Sequence, residues 1–83
     1  MFKTHLVHIS DEALHDGLAE RVVLPGVLGD FEIAECHAPI VSLLAGGYIW
    51  VYGGRMDKTA QTSFMVEQGL MRFDGKELYV VVE

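Results

Sequence analysis

The 83 residues include a single cysteine, Cys36, and only two prolines, Pro25 and Pro39. One thiol excludes an internal disulfide framework and fits a reducing compartment. Basic residues are few: six Lys and Arg, scattered from Lys3 to Lys76, stand against twelve Asp and Glu, for a net charge of −6. A chain this acidic, with no Lys/Arg cluster, repels phosphate backbones, which argues against a nucleic-acid partner. No apolar run approaches the roughly 20 residues of a membrane-spanning helix. The opening Met1-Phe2-Lys3-Thr4-His5 has no signal-peptide apolar core. These absences predict a soluble, cytoplasmic chain whose link to any membrane is made through another protein. No segment sustains a helical period.

What is present in excess is apolar residues, at 51% of the chain. A domain of this size buries only about 60–65% of its unfolded surface. Part of the surplus should therefore face outward and meet a partner, or drive self-association of the isolated chain. Glycine punctuates the sequence at short intervals, with β-branched and aromatic runs between, the mark of many short strands joined by turns. The runs predict strands over Phe2–Ile9, Leu18–Leu24, Phe31–Ile33, Ile40–Leu44, Tyr48–Tyr52, Thr62–Val66, Leu70–Phe73 and Lys76–Val82. Ser10–His15 reads as a loop or one helical turn, and Gly54–Gln61 as the one long loop. Pro25-Gly26 should turn the chain after the second strand, and Asp74-Gly75 should close a two-residue hairpin. Ile40–Leu44 is apolar on both faces, which predicts burial. Tyr48, Trp50 and Tyr52 share one face of their strand and are expected to pack in the core or on the sheet, with Ile49 and Val51 on the other face. The fold class is all-β: a single domain over 1–83, a small two-sheet sandwich or flattened barrel of about seven to ten strands.

Reactive chemistry is thinly represented. His5 and His8 stand at i and i+3 of a strand and point to opposite faces, so they do not share an ion. Cys36 and His37 are sequence neighbours, whereas catalytic Cys/His pairs meet in space; Cys36 reads as a small apolar filler beside a turn. Gly26-Val27-Leu28-Gly29 lacks the Lys and Ser/Thr of a phosphate loop. Glu32 and Glu35 are indistinguishable from solvated charges. No cofactor, metal or catalytic residue is expected, and the residues by themselves describe an acidic all-β interaction module.

Gly29 to Ile49 carries more. It reads Gly-Asp-Phe-Glu-Ile-Ala-Glu-Cys-His-Ala-Pro-Ile-Val-Ser-Leu-Leu-Ala-Gly-Gly-Tyr-Ile. This resembles the signature of epsilon subunits of F-type ATP synthases: Gly, an acid, aliphatic positions, then His-Ala-Pro, an apolar strand and a turn into the next strand. Gly29, Asp30, Phe31, Ile33, His37-Ala38-Pro39, Ile40 and Gly47 match in place. Leu6–Glu12, Gly17–Gly26 and Phe64–Glu83 resemble the family's flanking strands, so the likeness spans nearly the whole chain. Glu32 departs from a usual glycine, Glu35-Cys36 from a usual Pro-Gly or Pro-Asn, and Gly46 from a proline.

The resemblance implies a non-catalytic coupling subunit at the foot of the central stalk, joining the gamma subunit to the c-ring in a proton- or sodium-driven rotary motor. It implies a peripheral protein on the cytoplasmic side of the inner membrane, held there by the complex. The residues it places at the gamma and c-ring interface are Gly29, Asp30, Phe31, His37, Ala38, Pro39 and Ser42, with Asp30 facing basic ring loops. Most members continue into a C-terminal pair of helices, and the sequence stops where that pair would begin. The expectation is a short form, or a chain cut at the domain boundary, that neither binds ATP nor inhibits hydrolysis by an extended helix. The competing readings are a free-standing β-sandwich adaptor and a small metal- or thiol-dependent barrel enzyme.

Overall fold

The structure is a computed structural model and describes residues 1–53 and 61–83. The expected Gly54–Gln61 loop lies almost entirely outside the described residues. Nine strands are present among those described: β1 (Phe2–His8), β2 (Ala13–Ala19), β3 (Arg21–Gly26), β4 (Gly29–Ala34), β5 (Ile40–Leu44), β6 (Gly47–Tyr52), β7 (Gln61–Val66), β8 (Gly69–Phe73) and β9 (Glu77–Val82). They form one curled sheet in the order β2-β1-β9-β8-β5-β3-β6-β7, with β4 added on β3. The β1–β9 pairing is parallel, and the other pairings are antiparallel. The all-β expectation holds, as a half-barrel curled into a sandwich.

Period-two alternation fills the inside. Phe2 and Leu6 on β1, Leu78 and Val80 on β9, Met71 and Phe73 on β8, and Ile49 and Val51 on β6 are all buried. Phe2 and Phe73 meet edge to face, ring centroids 5.4 Å apart, a favoured aromatic geometry. Thr4 takes the inward position between Phe2 and Leu6. It is 1% exposed, and its hydroxyl has no hydrogen-bond partner among the described residues.

Several boundaries differ from the sequence expectation. Leu18–Leu24 is not one strand. Ala19 and Val22 are both fully buried, and residues three apart cannot share a face of one strand. The chain therefore breaks at Glu20, whose amide donates to the Tyr52 carbonyl at 2.9 Å. Ser10–His15 is neither a loop throughout nor a helical turn: Asp11 closes a tight turn at φ +71°, and β2 resumes at Ala13. Pro25 and Gly26 lie within β3, and the turn comes at Val27-Leu28, with Gly26 paired to Gly29. Gly29, at φ +126°, supplies the positive φ of this turn. The Asp74 hairpin is longer than two residues. The Asp74 carboxylate accepts the amides of Lys76 and Glu77 at 2.9 and 2.8 Å, an Asx-type turn, and holds its own pKa low by those bonds.

Candidate functional site: the outer sheet face

Alternation also decides what faces outward. Val7, Val81, Leu70 and Leu43 are cross-strand neighbours in one row over β1, β9, β8 and β5. Leu43, Leu70 and Val81 are exposed, and so are Ile9, Val27 and Leu28 beside the row. The burial expected for both faces of Ile40–Leu44 therefore fails: Leu44 is buried, but Val41 and Leu43 are 63% and 60% exposed. The reason is that β5 has the sandwich interior on one side only. Ile9, Val27, Leu43, Leu70 and Val81 line an open groove of about 520 Å³, together with Gln68 and Glu83. The Val27-Leu28 turn is fixed against it by Val27 N donating to Leu43 O at 3.3 Å and Ala45 N to Pro25 O at 2.7 Å.

One row along, the same face is polar. Asp16, His5, Tyr79 and Arg72 are in register across β2, β1, β9 and β8. His5 Nδ1 lies 3.1 Å from Asp16 Oδ1 and its Nε2 3.0 Å from Glu77 Oε1. Tyr79 donates to the second Glu77 oxygen at 3.2 Å, stacks on His5 at 5.0 Å, and lies under the Arg72 guanidinium at 4.8 Å. The His5 bond, then the Tyr79 bond, hold the Glu77 carboxyl below its usual range. Desolvation first, then the bond to Glu77, push the Tyr79 phenol up. His8 bonds Ser10 instead, at 2.8 Å, so the two histidines take different partners.

The seven expected interface residues do not form one cluster. Gly29 and Asp30 begin β4 beside the groove, while His37, Ala38 and Pro39 follow its far end. Asp30 is exposed and faces out opposite Pro25. His37 bonds the Ala38 carbonyl through Nδ1 at 2.6 Å and meets the Phe73 ring edge-on at 6.1 Å. Phe31 packs against the core, and Ser42 shares the inward side of β5 with Ile40 and Leu44, its hydroxyl donating to the Leu43 carbonyl at 3.2 Å. Cys36 is no filler: it is exposed and takes φ +67° in the turn closed by His37 N donating to Ala34 O at 3.2 Å. The left-handed position survives even though its residue is cysteine.

The sequence reading missed the apolar row. Its signal was present in Leu43, Leu70 and Val81, apolar residues at the positions that alternate with the buried Leu44, Met71, Val80 and Val82. The aromatic stripe also faces outward: Tyr48 is 52% exposed, and Ile49 and Val51 take the core. Arg21 packs over Tyr52, 4.0 Å from its centroid, so the sheet-packing part of the expectation holds and the core part does not.

Among the described residues no helix is long and apolar enough to cross a membrane. Residues 2–83 match the family described as ATP synthase, delta/epsilon chain, beta-sandwich domain. The chain is 30% identical over 73 residues to ATP synthase epsilon chain 2 of Nitrobacter hamburgensis, covering 88% of this chain and 51% of that one. It is 31% identical over 70 residues to the ATP synthase epsilon chain of Sulfurimonas denitrificans, covering 84% and 52%. The chain thus spans about half the length of these relatives. A chain in the cryo-EM structure of the Tetrahymena thermophila mitochondrial ATP synthase central stalk and c-ring has the same fold, with a TM-score of 0.75 at 15% identity, over 98% of this chain and 62% of that one. With nine strands among its described residues and residues 2–83 matched to that family, the chain belongs to the ATP synthase delta/epsilon family, through its β-sandwich domain.

Proposed function

We propose that this domain couples rotation in the central stalk of an F-type ATP synthase, docking on the gamma subunit through its apolar row and on the c-ring through the Val27–Asp30 turn. The observation that carries the reading is the continuous Leu43–Leu70–Val81 row, with Ile9 and Val27 beside it, on an otherwise acidic small domain. Fully burying one Leu or Val contributes about 1.5–3 kcal/mol. Each of these residues is only half exposed, so each has about half of that still to gain. Non-directional apolar contact suits a joint loaded sideways, because many small contacts share the load. Asp30, exposed and without an ion pair among the described residues at the end of the same region, suits a basic ring loop; an exposed pair there gives orientation more than affinity. The stiffness of a close-packed sandwich fits torque transmission. Placement on the cytoplasmic side of the inner membrane follows from the complex in this reading, and the docking chemistry is the same for a proton-driven and a sodium-driven ring.

The test is co-purification of tagged chain with gamma and c-ring from solubilised membranes. Leu43→Asp with Leu70→Asp should lose gamma, and Asp30→Arg should weaken recovery of the ring while gamma is retained. Recovery of gamma undiminished by the double substitution would refute docking through this row.

A further inference from the structure

The outer face of the other half of the sheet repeats one arrangement twice. Arg21 on β3 is paired with Tyr52 on β6, and its guanidinium lies 4.0 Å over that ring. It also donates to Glu32 Oε1 on β4 at 2.9 Å, and Glu32 stands opposite Val23, two residues further along β3. An aromatic ring on one side and a carboxylate on the other thus frame one guanidinium. Moving two residues along each strand gives the second frame. Trp50 replaces Tyr52, Asp30 replaces Glu32, and Val23, paired with Trp50, replaces Arg21. All three side chains face outward, as alternation requires of residues two apart. The second frame has its ring and its carboxylate, but its central residue is a valine. Asp30 has no ion pair among the described residues, and the Tyr48 ring, 52% exposed, extends the platform 6.0 Å from Trp50.

We propose that this second frame takes an arginine side chain from a partner protein, with the guanidinium stacked on Trp50 and paired with Asp30. The internal Arg21 shows the geometry that the outside arginine would copy. Arginine is favoured over lysine because a planar guanidinium stacks on an indole while donating in its own plane to a carboxylate, and a hydrated ammonium does not. The net charge of −6 draws a basic segment to the domain at long range. The inference extends the proposed ring contact of Asp30 and depends on that reading only for the partner's identity.

Trp50 is the single tryptophan, so its emission reports the frame directly. The full 83-residue chain is titrated with a six-arginine peptide, a six-lysine peptide and a six-glutamate peptide. The arginine peptide should shift Trp50 emission and bind about three- to fivefold tighter than the lysine peptide, the range expected of one exposed cation–π contact. The glutamate peptide should do neither. Val23→Arg fills the frame from within, as Arg21 does in its neighbour, and should weaken arginine-peptide binding at least about threefold. Asp30→Asn, an exposed change with no folding burden, should do the same. Glu12→Gln alters net charge by the same single unit far from the frame and is the control. Unchanged emission, equal affinity for arginine and lysine, or as large a loss in Glu12→Gln as in Asp30→Asn would overturn the proposal. None of these substitutions touches the Leu43–Leu70–Val81 row, so gamma recovery measured in parallel separates failure of the frame from failure of the docking reading.

Discussion

Thr4→Val should stabilise the domain. Thr4 sits at 1% exposure between buried Phe2 and Leu6, and its hydroxyl meets no donor or acceptor among the described residues. A buried hydroxyl without a partner costs about 1–3 kcal/mol relative to its hydrated state. Valine has the same shape, removes that cost and leaves no cavity. Taking the low end, a gain of about 1 kcal/mol raises the melting temperature of a domain of this size by roughly 4–8 °C. In urea, with a slope of about 1–3 kcal/mol per molar, the same gain moves the midpoint up by roughly 0.3–1 M at unchanged slope. Thr4→Ser supplies the opposite control: it keeps the unpaired hydroxyl and deletes the methyl, and should lose about 1 kcal/mol. Urea unfolding followed by Trp50 fluorescence reads all three proteins. A lower midpoint for Thr4→Val at unchanged slope would mean that the hydroxyl is satisfied in solution, for example by a bound water, and would refute the reasoning.

Cys36 occupies a left-handed backbone position at φ +67°, which costs an ordinary residue about 1–2 kcal/mol and asparagine less; Cys36→Asn should raise the urea midpoint, whereas Cys36→Val, β-branched, should lower it by a kilocalorie or so on the same scale. Burial lowers the pKa of His15 from 6.5, with Asp16 opposing the shift weakly. The unfolded chain therefore holds a proton that the folded chain rejects, over the window from 6.5 down to the folded value. Stability should fall as pH drops through that window and level off below it, and His15→Leu should flatten the slope in unfolding midpoints measured from pH 7.5 to 5. Asp74 and Glu77 have lowered pKa values, so their contributions are present above the ordinary carboxylate range and are lost as pH falls through the folded values. Asp74→Ala should reduce that acid-side loss while lowering stability at pH 7, as thermal melts would show.

How much was legible in the sequence follows a physical division. Local chemistry announces itself: Asp74 ahead of Gly75 specifies a turn, Gly47–Tyr52 alternates with one period, and His37-Ala38-Pro39 sets an extended entry to β5. These made the all-β class, most strand positions and the family resemblance readable from the chain. Which face of a strand is inside is a different matter. Ile40–Leu44 and Tyr48–Tyr52 are apolar on both sides, so period alone cannot choose between them. Only the closure of the sheet put Leu44, Ile49 and Val51 inside and left Leu43 and the aromatic stripe outside.

The break at Glu20 has the same origin, since Ala19 and Val22 can both be buried only if the chain turns a corner between two different neighbours. The site shows the limit most clearly. The signature residues lie close in sequence, yet β4 runs as a straight strand between Asp30 and His37 and sends them to opposite ends of the fold. The apolar row is built from β1, β5, β8 and β9, which the sequence separates widely. Sequence by itself determined the all-β class, most of the strand positions and the acidic, disulfide-free character of this domain, because those depend on composition and on neighbours within a few residues. Tertiary structure alone decided the two outward faces, because register between distant strands, and not composition, selects which side chains stand side by side.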